Sequence, residues 1–177
     1  GLEMTGGDLN LTLAANFTST DVEDLFTPSG SGLATVPTSA VFSAQDISII
    51  EEWQPEDRIS LSAMYYRDAL TASLAFNRYG EYTVTDGGRQ TYGAEILTDL
   101  SVSYALENGM TLTFAGNNIF DVTPDRNLIG NSRTGAIENG PGGALIVDSA
   151  GVFNYSRRSA PFGFNGAYYS VGASYDF

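Results

Sequence analysis

Ala167-Tyr-Tyr-Ser-Val-Gly-Ala-Ser-Tyr-Asp-Phe177 ends the chain, and these eleven residues alternate without a break. Ala167, Tyr169, Val171, Ala173, Tyr175 and Phe177 fall on one face; Tyr168, Ser170, Gly172, Ser174 and Asp176 fall on the other. A period of two is the signature of a β-strand whose two faces meet different surroundings. About ten residues, apolar on one side and small or polar on the other, suit a tilted crossing of a bilayer. The edge of a soluble sheet shares that period, so the alternation must be weighed with the rest of the chain.

Working outward, five further segments alternate in the same way. Leu9, Leu11, Leu13, Ala15 and Phe17 share a face opposite Asn10, Thr12, Ala14, Asn16 and Thr18. Ile59, Leu61, Ala63 and Tyr65 oppose Ser60, Ser62, Met64 and Tyr66. Leu70, Ala72, Leu74 and Phe76 oppose Thr71, Ser73, Ala75 and Asn77, and this strand is expected to run on through Tyr82 and Val84. Leu100, Val102, Tyr104 and Leu106 oppose Asp99, Ser101, Ser103 and Ala105; Met110, Leu112 and Phe114 oppose Thr111, Thr113 and Ala115. Six antiparallel strands are expected, near 8–18, 58–66, 69–84, 95–106, 110–118 and 167–177.

The connections differ in kind. Tyr66-Arg67-Asp68-Ala69 and Glu107-Asn108-Gly109 read as tight hairpin turns, and the Asn-Gly pair suits positive backbone angles. Asp86-Gly87-Gly88 marks a medium loop, while about 19–57 and 119–166 are long connections of a size rare in compact soluble domains. Short turns at one end and long loops at the other is the plan of an up-and-down membrane barrel, whose long loops lie outside the cell. Six such strands are too few for closure, since single-chain membrane barrels begin at about eight. The chain is therefore expected to be the C-terminal part of something larger, or a fragment whose open edges associate with other copies. Its start, Gly1-Leu-Glu-Met, reads like the middle of a longer chain.

Composition removes whole classes of chemistry. The chain has neither Cys nor His, which excludes disulfides, thiolate metal sites and His-dependent catalysis. Its eight basic residues are all Arg, against 21 acidic ones. A net charge of −13 gives no basic face for nucleic acid. No Ser-containing nucleophile motif is present, so an outer-membrane phospholipase or protease is disfavoured and no enzyme activity is expected. No cofactor is expected either.

The ordered set of motifs resembles one family. A terminal aromatic, Phe177, with Tyr175 two before it and Gly172 three earlier still, is similar to the ending of bacterial outer-membrane barrels that their assembly machinery reads. Leu112-Thr-Phe-Ala-Gly-Asn-Asn-Ile-Phe-Asp-Val-Thr-Pro124 resembles the penultimate strand of TonB-dependent receptors, which ends in Asn-Leu-Phe-Asp followed by a nearby Pro. Thr98-Asp99-Leu100 leading to Tyr104 resembles the strand before it. Trp53-Gln-Pro-Glu-Asp-Arg58 and Asn77-Arg78-Tyr79-Gly80-Glu81-Tyr82 resemble two earlier strand segments of the same family. The resemblance covers most of residues 8–177, in order and spacing. It implies an all-β, antiparallel up-and-down transmembrane β-barrel of about 22 strands with an N-terminal plug. This chain would supply the last six strands (1–177), with the plug and earlier strands absent.

What the resemblance implies about function is uptake at the outer membrane of a Gram-negative bacterium. The parent would bind a scarce nutrient (a siderophore, vitamin, haem or oligosaccharide) and import it with energy delivered through the TonB complex. Its partners would be outer-membrane lipid, the barrel-assembly machinery, the TonB complex through the missing N-terminal part, and a small-molecule ligand. A passive porin or a surface adhesin is the alternative.

The candidate ligand-binding residues lie in the last long connection: Arg126, Arg133, Tyr155, Arg157 and Arg158, with Phe153 and Phe162 nearby. Arg beside aromatics suits an anionic chelate or a stacked sugar ring. Gly172, Tyr175 and Phe177 form the assembly signal that the resemblance implies. Asn117, Asn118 and Asp121 are read as turn and rim residues, and Trp53, Tyr65, Tyr66, Tyr79 and Tyr82 as members of an interfacial girdle. Arg78 has two destinations open to it, headgroups or lumen. The acidic residues Asp21, Glu23, Asp24, Glu51, Glu52, Glu56 and Asp57 are read as a solvated charged surface, because their spacing fits no calcium loop. No metal site is expected.

Overall fold

A computed structural model describes residues 2–4, 6–25, 36–86, 88–128, 154–156 and 159–176. Among these residues, nine strands and two helices follow one another as β1 (Leu2–Met4), β2 (Gly7–Phe17), α1 (Thr38–Val41), α2 (Ala44–Glu51), β3 (Asp57–Arg67), β4 (Leu70–Tyr79), β5 (Tyr82–Val84), β6 (Gln90–Tyr92), β7 (Glu95–Ala105), β8 (Met110–Asn117) and β9 (Tyr168–Tyr175). Seven strands form one sheet in the order β1-β2-β3-β4-β7-β8-β9, with β5 and β6 pairing separately. Every pairing is antiparallel, so the large sheet is a meander in which, among the described residues, β1 and β9 stand at the two ends.

The six alternating segments all form strands, and the register sorts their faces. Leu13 sits opposite Leu61, Leu61 opposite Phe76, Leu74 opposite Leu100, Val102 opposite Phe114, and Phe114 opposite Val171. One apolar face therefore runs unbroken across six strands. The reverse face carries Thr12 opposite Ser62, Ser73 opposite Ser101, and Ser103 opposite Thr113. Hydroxyls bond across it: Ser103 and Thr113 lie 2.9 Å apart, and Ser60 donates to Asn77 Oδ1 at 2.8 Å.

The apolar face is bare. Val171 is 82% exposed, Phe17 73% and Leu13 70%. A sheet hydrophobic on one face normally buries that face against a second layer. Among the described residues no such layer exists. The buried apolar side chains (Trp53, Tyr82, Val84 and Tyr92) gather elsewhere, in a small cap over one end of the sheet.

Connections sort by length as the sequence implied. At one end lie the hairpin through Gly6 (φ 79°), the hairpin through Asp68 (φ 48°) and the hairpin through Gly109 (φ 84°). In the last, Leu106 N–H donates to Met110 O at 2.7 Å and Gly109 N–H to Leu106 O at 3.1 Å. The long connections leave from the opposite end.

Three details differ from the sequence reading. The strand expected over 69–84 stops at Tyr79: the Gly80–Glu81 step breaks the ladder, and Tyr82–Val84 turns away to pair with Gln90–Tyr92. The first long connection holds two helices, α2 beginning at a capping box in which Ser43 Oγ accepts from Asp46 N–H and the Asp46 carboxylate accepts from Ser43 N–H. The 8–18 strand is not an edge along its whole length, because Leu2–Met4 pairs with Gly7–Leu9. None of the described helices is long and apolar enough to cross a membrane, which says nothing about strands.

Candidate functional site

The cap is where the long connections meet. Tyr82 and Tyr92 face each other across the β5–β6 hairpin as stacked rings 5.0 Å apart. Trp53, just after α2, completes the core with Val84. A polar chain crosses beside it. Trp53 Nε1–H donates to Thr85 Oγ1 (3.3 Å), Thr85 to Ser48 Oγ (3.2 Å), and Ser48 to Glu52 Oε2 (3.0 Å). Arg89 closes the chain with two bonds to the Glu52 carboxylate, at 2.8 and 2.7 Å. That fork-on-carboxylate geometry holds α2 to the loop of the β5–β6 hairpin.

The later segments dock on the same cap. Ser159 Oγ donates to the Trp53 carbonyl, and Gln54 Nε2 donates to Ser159 Oγ at 3.2 Å. Gln90 bridges to the chain around Arg126, donating from Nε2 to Arg126 O and accepting from Leu128 N–H, both at 2.8 Å. Asp125 Oδ2 accepts from Gly93 N–H at 2.7 Å. Asn127 N–H donates to Asn154 O at 2.8 Å, so the stretches carrying Arg126 and Tyr155 run side by side.

Burial sets the protonation of the two stacked tyrosines. Loss of solvent pushes the Tyr92 phenol up to about 12, the Ser156 hydrogen bond offsetting part of that and the Asp125 and Asp86 charges adding to it. Tyr82 is raised further, mainly by burial and then by Tyr92 and Asp125. Its hydroxyl is the only buried side-chain polar atom without a hydrogen-bond partner among the described residues. Both stay neutral phenols well above physiological pH. The Arg89 bond holds the partly exposed Glu52 carboxyl below its ordinary value.

Of the sequence candidates, Arg126 is exposed at the rim and Tyr155 stacks on Phe164 with ring centres 5.7 Å apart. Arg133, Arg157, Arg158 and Phe153 lie outside the described residues, as does Phe177 of the assembly signal. Gly172 sits mid-strand opposite Thr113, and Tyr175 pairs with Met110 at the short-turn end.

The girdle assignments divide. Tyr65 sits on the apolar face beside Leu9 and Ala72, as a girdle residue would. Tyr66 and Tyr79 fall on the polar face instead. Trp53 and Tyr82 are 4% exposed in the cap core, which corrects their reading as interfacial residues: the chain leaves the sheet at both points. Arg78 lies on the apolar face at its loop end, paired with Asp57, so it does not point toward the polar side.

Two groupings were not legible in sequence. On the polar face, Arg58 lies 4.7 Å over the Tyr79 ring and donates to its hydroxyl at 3.1 Å, while Phe162 packs against that ring at 5.2 Å. Beside the cap, Glu51, Glu52, Glu56, Asp57 and Glu81 line a cavity of about 440 Å³. The first was hidden by a sequence gap that only strand pairing closes. The second arises because α2 brings Glu51 and Glu52 over the start of β3. Among the described residues, no three acidic, His or Cys side chains converge as a metal site. No protein-family model matches the chain, and neither a curated protein nor a solved structure matches it.

Proposed function

We propose that this chain is the C-terminal wall of a TonB-dependent outer-membrane receptor, a barrel that takes up a scarce small-molecule nutrient. One observation carries the reading: a single-layer antiparallel meander whose apolar face is exposed in register across six strands. In water that face has no partner. In a bilayer it has one, and the ladder satisfies the backbone within the wall. Support comes from Tyr65, Tyr104 and Tyr175 at the short-turn end of the same face, where an aromatic girdle belongs. The polar face, rich in Ser, Thr and Asn, suits a hydrated lumen. The loop end carries Arg58, Tyr79 and Arg126 toward the side from which a ligand would arrive.

Sheet and edges support a part of a larger barrel over a self-contained one. Among the described residues β1 and β9 stand at the two ends of the order, and an edge strand needs a further partner in hydrocarbon. A porin or adhesin wall shares the sheet. The resemblance of Asn117-Asn-Ile-Phe-Asp121 to the Asn-Leu-Phe-Asp of the receptor family favours the receptor. The deciding experiment is to isolate the outer-membrane fraction of cells expressing the full-length parent and measure nutrient uptake with and without the energy-coupling complex. Uptake that needs the complex supports the receptor; uptake indifferent to it points to a porin; absence from the membrane fraction removes the reading.

A further inference from the structure

The Asn118–Asp121 corner, at the end of β8, ties that strand's neighbour β7 to β9, which lies far along the chain. Asn118 is 6% exposed, and its amide makes a two-bond clasp with Val122: Nδ2–H donates to Val122 O at 2.7 Å, and Oδ1 accepts from Val122 N–H at 3.0 Å. The Asn118 N–H donates to Asp99 Oδ1 at 2.8 Å, and Ile119 N–H to Thr98 O at 2.8 Å, which tie the corner to β7. Asp121 Oδ1 accepts from Ala167 N–H at 2.9 Å, and Tyr169 OH donates to Ile119 O at 2.7 Å, which tie it to β9. Asn118 and Asp121 adopt left-handed backbone (φ 50° and 58°), which Asn and Asp tolerate better than other side-chain-bearing residues. Gly166 (φ 74°) completes the turn into β9, and a Cβ there would strike the Asp121 carboxylate.

We infer that this corner, and not the 122–166 connection, fixes where the final strand begins and so sets its register on β8. Two side-chain-to-backbone bonds reach across separations of 46 and 50 residues and place Ala167 and Tyr169 directly. The register they set brings Tyr169 opposite Gly116, Val171 opposite Phe114 and Tyr175 opposite Met110. Gly116 is needed there: an added Cβ would come within 2.7 Å of Ile119 and 3.0 Å of the Tyr169 ring. A slip of one residue would turn Val171 and Tyr175 to the polar face and Ser170 and Ser174 to the apolar one. The long connection is then free to diverge without moving the strand. In the receptor reading proposed above, on which this last consequence rests, the corner presents the terminal strand correctly aligned for barrel closure.

The test uses the absence of native Cys. Ala115 and Ser170 are direct partners, and such pairs, about 4.5–5.5 Å apart, fall within disulfide reach. The full chain carrying Ala115→Cys and Ser170→Cys should cross-link on oxidation. Adding Asp121→Ala should lower the yield about fivefold, the scale of one lost hydrogen bond at an exposed position. Asp121→Asn, which keeps both the acceptor and the tolerance of positive φ, should restore it. Tyr169→Phe, which deletes one hydroxyl, should give a smaller drop and serves if Asp121→Ala does not accumulate. Removing residues 130–150 should leave the yield unchanged. Undiminished cross-linking in both Asp121→Ala and Tyr169→Phe overturns the inference, and so does its loss in the 130–150 deletion. The gel readout reports register whether or not the chain reaches a membrane, so failure here is distinct from failure of the receptor reading.

Discussion

The wall and the cap solve opposite problems with similar residues. In the wall, Leu13, Phe17 and Val171 are mostly exposed on the apolar face. In the cap, Trp53, Tyr82, Val84 and Tyr92 are at most 4% exposed and pack on one another. The difference lies in what each region takes from its surroundings. The cap makes its own apolar interior, as a structure meeting water must. The wall holds its shape through cross-strand hydrogen bonds, and in the receptor reading proposed above its apolar face meets lipid. Polar groups follow the same division. The wall pairs its hydroxyls across strands on the polar face. The cap threads them from Trp53 to the Glu52–Arg89 pair.

Trp53→Ala should break the cap most severely. Removing a buried Trp costs about 3–5 kcal/mol, and here it also strands the Thr85–Ser48 chain. Hydrogen exchange should show α2 and the β5–β6 hairpin opening while the β2–β3 and β8–β9 ladders stay protected. Equal loss of protection in both regions would mean that they are not separable.

Next in size is the contrast between Leu112→Arg and Thr113→Arg, neighbours on opposite faces of β8. A lipid-facing Arg at mid-bilayer costs about 2–4 kcal/mol, whereas a lumen site tolerates one. Folding yields into vesicles should separate the two. Indistinguishable yields would remove the face assignment and leave the wall without its special character.

Alkaline titration tests the cap interior more gently. The Tyr92 pKa is raised by burial from 10.0 to about 12, so its contribution to stability is complete below 10.0 and is lost as pH rises through the folded value. Tyr82 behaves in the same sense. Phenolate absorbance should show a late component, and Tyr92→Phe should reduce it. A single transition near 10.0 for all the tyrosines would show that the cap core is open to water.

The smallest effect belongs to Arg89→Ala. Glu52 is held below its ordinary 4.5 chiefly by the Arg89 hydrogen bond, so the pair stabilises the cap above that pH and weakens as pH falls through the lowered value. Both groups meet solvent, which keeps the contribution modest. Limited proteolysis of the cap should become slightly faster at neutral pH in the variant, and the acid-induced increase expected of the unaltered chain should shrink.

Alternation alone determined six strands, their two faces and the sorting of short turns from long connections. These depend on residues two apart and on local turn chemistry, both of which are properties of a short stretch of chain. The terminal strand and the Asn-Gly hairpin were therefore legible from the start. The end of β4 was not, because Tyr82 and Val84 continue the period of the preceding strand, and only their pairing with Gln90–Tyr92 pulls them away. The cap was equally hidden. Trp53 has an interfacial composition around it, and its burial depends on Tyr82 and Tyr92, some thirty to forty residues downstream, folding back over it. The corner at Asn118 and Asp121 looked like a rim turn, and its reach to Ala167 exists only in three dimensions. Local periodicity fixes which way side chains point; contacts between distant segments decide which of them find a neighbour.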